Sequence, residues 1–89
     1  MQKQWLVYIL QCGDGTLYTG VTDDLLHRLE MHRAGKGAKY TRGRSPLTLV
    51  YQENAASCSE ALKREYRIKQ LTRAEKMKLI EAYNKTAAE

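Results

Sequence analysis

The chain has 89 residues, 43% of them apolar, and 15 Lys and Arg against 10 Asp and Glu give a net charge of +5. That length holds one domain, residues 1–89, with a modest core, and it excludes a two-domain enzyme. No apolar run approaches the roughly 18 residues of a membrane helix. The first residues also lack the basic, apolar and small-residue order of a secretory signal, so the sequence reads as a soluble cytoplasmic protein that meets no membrane.

Trp5–Gln11 is rich in strand formers and alternates weakly, Gly13-Asp14-Gly15 signals a turn, and Thr16–Val21 forms a second strand of a hairpin. The register is open. A two-residue turn at Asp14-Gly15 pairs Gln11 with Tyr18 and puts Tyr8 and Tyr18 on opposite faces. A three-residue loop ending in a left-handed Gly15 pairs Leu10 with Tyr18 and puts both phenols on one face.

A helix follows at about Asp24–Ala34, capped by Thr22 or Asp23, with acidic residues in its first turn and Gly35 as its stop. "GKGAKYTRGRSP" fits neither periodicity and reads as a basic loop. Leu47–Glu53 is a third strand. Ser57 and Glu60 have capping-box spacing and open a helix to about Leu71. Thr72 and Glu75 repeat the signature for a last helix to about Asn84, leaving residues 85–89 as a fraying tail. The order β-β-α-β-α-α predicts a small α+β fold: a three-stranded antiparallel sheet flanked by helices.

The cations are clustered. Arg33, Lys36, Lys39, Arg42 and Arg44 fall in one segment without an acid. Lys63, Arg64, Arg67, Lys69, Arg73, Lys76 and Lys78 form a second segment, diluted by Glu65 and Glu75. Clustered positive charge is the footprint of a polyanion, though a solvated basic face has the same composition. Cys12 and Cys58 lack metal-ligand spacing and read as free buried thiols of a reducing compartment.

Three polar residues fall where apolar ones belong. At about 100° per residue, Cys58, Ala61, Leu62, Tyr66 and Ile68 form the apolar side of their helix, and Glu65 projects between Ala61 and Leu62. In the first helix Arg28 and His32, one turn apart, fall inside the arc of Leu25, Leu26, Leu29 and Met31. Glu65 is either half of a structural ion pair or a metal ligand or general base, because an unpaired buried carboxylate is very costly. The three residues could line one cleft.

With these residues in view, "LVY" at Leu6–Tyr8, "YTG" at Tyr18–Gly20, Arg28, His32 and Glu65 in that order resemble the GIY-YIG nuclease signature. "GKGAKYTR" and "ALKREYRIKQLTRAEK" look most like its short stand-alone bacterial branch typified by YhbQ. Leu6 stands where the signature has its first glycine, and Val7 and Thr19 where it has isoleucines. The asparagine that several relatives carry after the glutamate has only Asn84 as a counterpart here, too far along to be assigned.

The resemblance implies a metal-dependent endonuclease that hydrolyses phosphodiester bonds in structured or single-stranded DNA, in repair or recombination. Tyr8, Tyr18, Arg28, His32 and Glu65 would be its catalytic residues. Glu65 would be the ligand of Mg²⁺ or Mn²⁺, Arg28 would hold the phosphate, one tyrosine would act as base, and His32 would serve a tyrosine or relay a proton. The nucleic-acid contacts would come from Gly20, Arg33, Lys36, Lys39, Tyr40, Arg42, Arg44, Lys63, Arg67 and Lys69. These read the backbone and so favour structure over sequence. Tyr40 either stacks on a base or packs on the fold, and Tyr51, Tyr66 and Tyr83 are core or rim residues. The alternative is a nucleic-acid-binding module of the same fold, with weak or lost catalysis, acting through a protein partner. If the phenols share a site, the hairpin loop must be odd in length or bulged.

Overall fold

The computed structural model describes residues 4–88. Three strands, β1 (Leu6–Gln11), β2 (Leu17–Thr22) and β3 (Thr48–Asn54), form one antiparallel sheet in the order β2-β1-β3. Three helices complete the fold: α1 (Leu25–Arg33), α2 (Cys58–Gln70) and α3 (Arg73–Ala88). The expected α+β order is therefore the observed one.

β1 is the central strand, and Leu6 through Leu10 are all buried. Its two faces serve two cores, which is why its sequence alternates so weakly. Val7 and Ile9 pack with Tyr51, with Ala61 and Ile68 of α2, and with Ile80 of α3. Leu6, Tyr8 and Leu10 pack with Leu29 of α1, flanked by Tyr18, Leu25 and Leu49. The sheet is thus a middle layer, with α1 on one face and α2 and α3 on the other. Between β1 and β3 the register slips at Ile9/Leu10, so that Ile9 faces Tyr51 while Leu10 faces Leu49 and Val50 is left as the extra residue of a bulge.

The hairpin takes the three-residue form. The Cys12 N–H donates to the Thr16 carbonyl at 2.8 Å, the Gly15 N–H donates to the Cys12 carbonyl at 2.9 Å, and Gly15 has φ 86°. Leu10 then pairs with Tyr18 and Tyr8 with Gly20, so both phenols stand on the α1 face. The loop is pinned from outside. Asp14 accepts from Thr16 and forms an ion pair with Arg44 at 2.5 Å, and the Gly13 N–H donates to the Arg44 carbonyl at 2.6 Å.

Several local expectations change. Asp24, not Thr22 or Asp23, caps α1, because its carboxylate accepts from the His27 N–H. Thr22 instead accepts from the Asp24 N–H, which turns the chain one residue later than its sequence suggests. The acids therefore precede α1 and do not fill its first turn. Gly35 follows the last turn at φ 75°, as expected. The basic loop contains a short 3₁₀ turn at Lys39–Thr41. α3 opens with a complete capping box, Glu75 N–H to Thr72 hydroxyl and Thr72 N–H to Glu75 carboxylate. It continues past Asn84 to Ala88, over the stretch expected to fray, while Glu89 lies outside the described residues.

The apolar arcs are narrower than their sequences suggest. Leu26 of α1 is 77% exposed, and Leu62 and Tyr66 of α2 are 48% and 66% exposed, so these three leave the core. α2 instead turns Ala61, Ile68, Arg64 and Glu65 inward. Arg64 and the Tyr51 hydroxyl both donate to Glu53, at 2.9 and 2.5 Å, an arrangement that ties α2 to β3. Both cysteines are free, Cys12 buried and Cys58 half-buried.

Candidate active site

The site grows from β1 and β2. Because Tyr8 and Tyr18 lie diagonally across one ladder face, their ring centroids are 6.3 Å apart. Tyr8 is fully buried, whereas Tyr18 is partly exposed. α1 brings Arg28 and His32 over them from the same side. His32 is 2% exposed, with its ring 5.9 Å from Tyr8 and 5.3 Å from Tyr18, edge-on to both.

The hydrogen bonds form a chain with a defined direction. The Thr41 hydroxyl donates to the Ala38 carbonyl at 2.9 Å, so its oxygen receives the Nδ1–H of His32 at 3.0 Å. The Nε2 lone pair is then free to accept from the Tyr8 hydroxyl at 2.9 Å. Arg28 donates through Nε to the same phenol oxygen at 3.4 Å, and the Tyr18 hydroxyl is close enough to add to the pull on its guanidinium. Arg28 therefore sits between the two phenols. Thr41 gave no sign of this role in the sequence, where it is one hydroxyl in a basic loop.

Burial governs the protonation of this group. It pushes the Tyr8 phenol up to about 12, against the opposing effect of Arg28. It also lowers His32 below its usual 6.5, helped by repulsion from Arg28. At neutral pH the pair is a neutral imidazole beside a neutral phenol. Folding stability then depends on pH at both ends. Below 6.5 the unfolded chain takes up the His32 proton first, so stability falls as pH drops through the folded His32 value. Between 10.0 and about 12 the folded chain keeps the Tyr8 proton longer, so stability falls as pH rises. Urea midpoints measured across pH should decline on both sides, and His32→Gln should flatten the decline that begins near 6.5.

Gly20, expected among the nucleic-acid contacts, lets the two phenol rings approach the backbone closely. It is buried under the Tyr8 ring, where an added Cβ would lie 2.7 Å from the phenol oxygen and 3.1 Å from Tyr18 Cε2. The missing side chain makes the space in which both phenols fit. Gly20→Ala should cost about 1–3 kcal/mol through overpacking and displace Tyr8 from His32. A lowered Tm with the fold's circular dichroism retained would record it.

Glu65 enters from α2. Its carboxylate is close enough to add to the upward push on Tyr8. It also faces Lys69 at 3.5 Å, with its own side chain 20% exposed. Among the described residues no three His, Cys, Asp or Glu side chains converge as a metal cage, and both nitrogens of His32 are engaged. One partly exposed carboxylate fits a hard ion such as Mg²⁺ or Mn²⁺, which keeps waters and takes substrate oxygens. It does not fit zinc, which needs several nitrogen or sulfur ligands.

The expected nucleic-acid residues divide. Arg33, Lys36, Lys39, Arg42, Lys63, Arg67 and Lys69 are exposed. Lys63 spends part of its charge on Glu60 at 3.5 Å, and with Arg67 it borders an open groove of about 410 Å³ floored by Leu62 and Tyr66. Arg44 is engaged with Asp14 and lies 4.7 Å over the Tyr40 ring. Tyr40 in turn stacks on Tyr18 at 5.8 Å. Tyr40 and Arg44 are thus packed against the site as its wall. Tyr66 is neither core nor rim, Tyr51 is core, and Tyr83 packs edge-on against Tyr51. Among the described residues no helix is long and apolar enough to cross a membrane.

Two phenols, a guanidinium and an imidazole thus gather on one face of a small antiparallel sheet, with a carboxylate of α2 close enough to act on Tyr8. Residues 4–79 match the GIY-YIG catalytic domain, and the chain belongs to that family. It is 59% identical over 81 residues to a UPF0213 protein of Oceanobacillus iheyensis, covering 91% of this chain and 94% of that one. It is 60% identical over 70 residues to a UPF0213 protein of Halobacterium salinarum, covering 79% and 91%. The solution NMR structure of a UPF0213 protein from Bacillus halodurans is similar, with a TM-score of 0.58 at 47% identity, covering 89% of this chain and 84% of that one. The short, YhbQ-like character expected from the sequence agrees with these relatives.

Proposed function

We propose that the protein is a metal-dependent endonuclease that hydrolyses phosphodiester bonds in branched, flapped or single-stranded DNA, in repair or recombination. The observation that carries this reading is the directed chain Tyr8–His32–Thr41 with Arg28 between the phenols. A purely structural pair of buried aromatics has no need of an imidazole acceptor and a guanidinium at the same oxygen.

Tyr18, the more open phenol, and Arg28 meet the substrate first. Arg28 presents forked N–H donors to a phosphate oxygen and offsets the charge that builds on it. Tyr8 is the phenol with a proton acceptor already in place, at 2.9 Å. Its proton passes to His32 Nε2 as Tyr8 takes one from the attacking water. The resulting imidazolium is buried and repelled by Arg28, so the transfer is uphill at rest. An arriving phosphate neutralises Arg28 and removes that repulsion. A divalent ion held at Glu65 would supply Lewis-acid stabilisation of the phosphate and leaving oxygen. The exposed cations of the Arg33–Arg42 segment and of α2 hold the backbone without reading bases.

The test is cleavage of branched, flapped and single-stranded DNA, with RNA in parallel, in Mg²⁺ or Mn²⁺, by wild type, Glu65→Gln and Arg28→Ala. The expected result is cleavage by wild type that both substitutions abolish. Salt-sensitive binding with no cleavage by wild type would favour the binding module that acts through a partner. Cleavage surviving both substitutions would remove the site assignment.

A further inference from the structure

A second polar constellation lies off the reaction centre. Along β2, the sheet edge away from β3, a cleft of about 410 Å³ is lined by Leu17, Tyr18, Thr19, Tyr40, Lys69 and Lys76. A smaller hollow of about 160 Å³ shares Leu17, Tyr40 and Lys76 with it and adds Thr16 and Arg73. Thr19 is 4% exposed, and its hydroxyl is the one buried side-chain polar atom among the described residues without a hydrogen-bond partner. Buried polar groups are almost always satisfied, and one that is not calls for a reason.

The wall around that hydroxyl gives one. The polar side chains among its lining residues are Tyr18, Thr19, Tyr40, Lys69 and Lys76, with the Thr19 hydroxyl itself buried at the wall. No carboxylate or amide side chain lines it. Such a set is rich in donors and carries positive charge, so its complement is an anionic acceptor. Lys69 also pairs with Glu65 at 3.5 Å, so the cleft adjoins the reaction centre. Tyr18 borders both.

We propose that this cleft is a phosphate subsite that takes the backbone phosphate of a nucleotide flanking the cleaved bond, with Thr19, Lys69 and Lys76 as its donors. The subsite rests on the nuclease reading for its ligand. It assigns Thr19 and Lys76, which belong to neither the tyrosine centre nor the basic loop. A strand held there reaches Arg28 and the phenols in a fixed register, and the adjoining hollow carries it on toward Arg73. Thr19 and Lys76 are positioning residues and take no part in bond cleavage.

The test is fluorescence anisotropy with a labelled single-stranded oligodeoxynucleotide in EDTA, across a salt series, alongside cleavage kinetics and melting curves. Thr19→Val keeps the shape and removes the donor. It should melt at or above the wild-type temperature, because an orphaned hydroxyl is gone, yet bind roughly tenfold or more weakly. Thr19→Ser should retain binding. Lys76→Gln should reduce the slope of log affinity against log salt by about 0.7. In cleavage both Thr19→Val and Lys76→Gln should raise KM and leave kcat unchanged.

Wild-type affinity in Thr19→Val would overturn the subsite. If that variant fails to fold, an unchanged salt slope in Lys76→Gln overturns it. A wild type that cleaves while these substitutions do nothing would leave the nuclease reading intact and remove the subsite. A wild type that never cleaves, yet loses affinity in both variants, would do the reverse.

Discussion

Glu65→Gln should leave DNA affinity equal to or slightly above that of the wild type and slow cleavage on the order of 10³-fold. The substitution keeps the size of the side chain and removes the charge that would hold a divalent ion. Such an ion contributes several kcal/mol of transition-state stabilisation, and each 1.36 kcal/mol is about tenfold in rate. Affinity should not suffer, because a carboxylate beside the substrate repels phosphate and Lys69 is released from its 3.5 Å pair to act on the backbone. A fall in kcat at constant or tighter Kd is the expected signature. A loss of Kd at constant kcat would make Glu65 a structural partner of Lys69, which is the plainer reading of a carboxylate on that helix face.

His32→Ala should be the most destabilising single change at the site, at about 2–4 kcal/mol. It opens a cavity at a position 2% exposed and removes the acceptor of the buried Tyr8 hydroxyl. For a domain of this size that corresponds to a fall in Tm of roughly 10–25 °C. The cause can be separated from the cavity by a double-mutant cycle. Tyr8→Phe alone should destabilise, because it strips His32 Nε2 of its donor and Arg28 of its acceptor. In the His32→Ala background the same change should cost less, because the hydroxyl has already lost its acceptor and only the Arg28 contact remains to be removed. Additive effects would mean that the 2.9 Å bond contributes nothing beyond packing.

How far the sequence alone reached varies with the kind of signal. The hairpin register was open between two loops of different parity, and only the demand that Tyr8 and Tyr18 share a face selected one. The backbone agrees because Gly15 adopts φ 86°. Arg28, His32 and Glu65 stood out because each is polar at an apolar position. Thr41 could not stand out, since a hydroxyl in a basic loop breaks no pattern, and its importance arises from a contact nine residues away. Thr19 was hidden for the opposite reason. Threonine suits a strand, so nothing marked its hydroxyl as unpartnered.

The misjudged apolar arcs share one physical origin. Helical periodicity assigns a side chain a direction but not the extent of the neighbour it faces. α2 crosses a sheet of three strands, so Ala61 and Ile68 find cover while Leu62 and Tyr66 project past it. Glu65 lies on the covered side, partly shielded and still 20% exposed. Gly20 is expected from the sequence among the nucleic-acid contacts, and in the fold the Tyr8 ring occupies the space that its missing side chain leaves.

The central claim is that Glu65, Arg28 and the two phenols form one divalent-ion-dependent centre. The most direct measurement is a Mn²⁺ titration of ¹⁵N-labelled protein followed by paramagnetic broadening, in wild type and in Glu65→Gln. Broadening that begins around Glu65, extends to Tyr18 and Arg28, and disappears in Glu65→Gln is the expected result. Broadening centred on Glu53 and Glu60, or a pattern unchanged by Glu65→Gln, would contradict it.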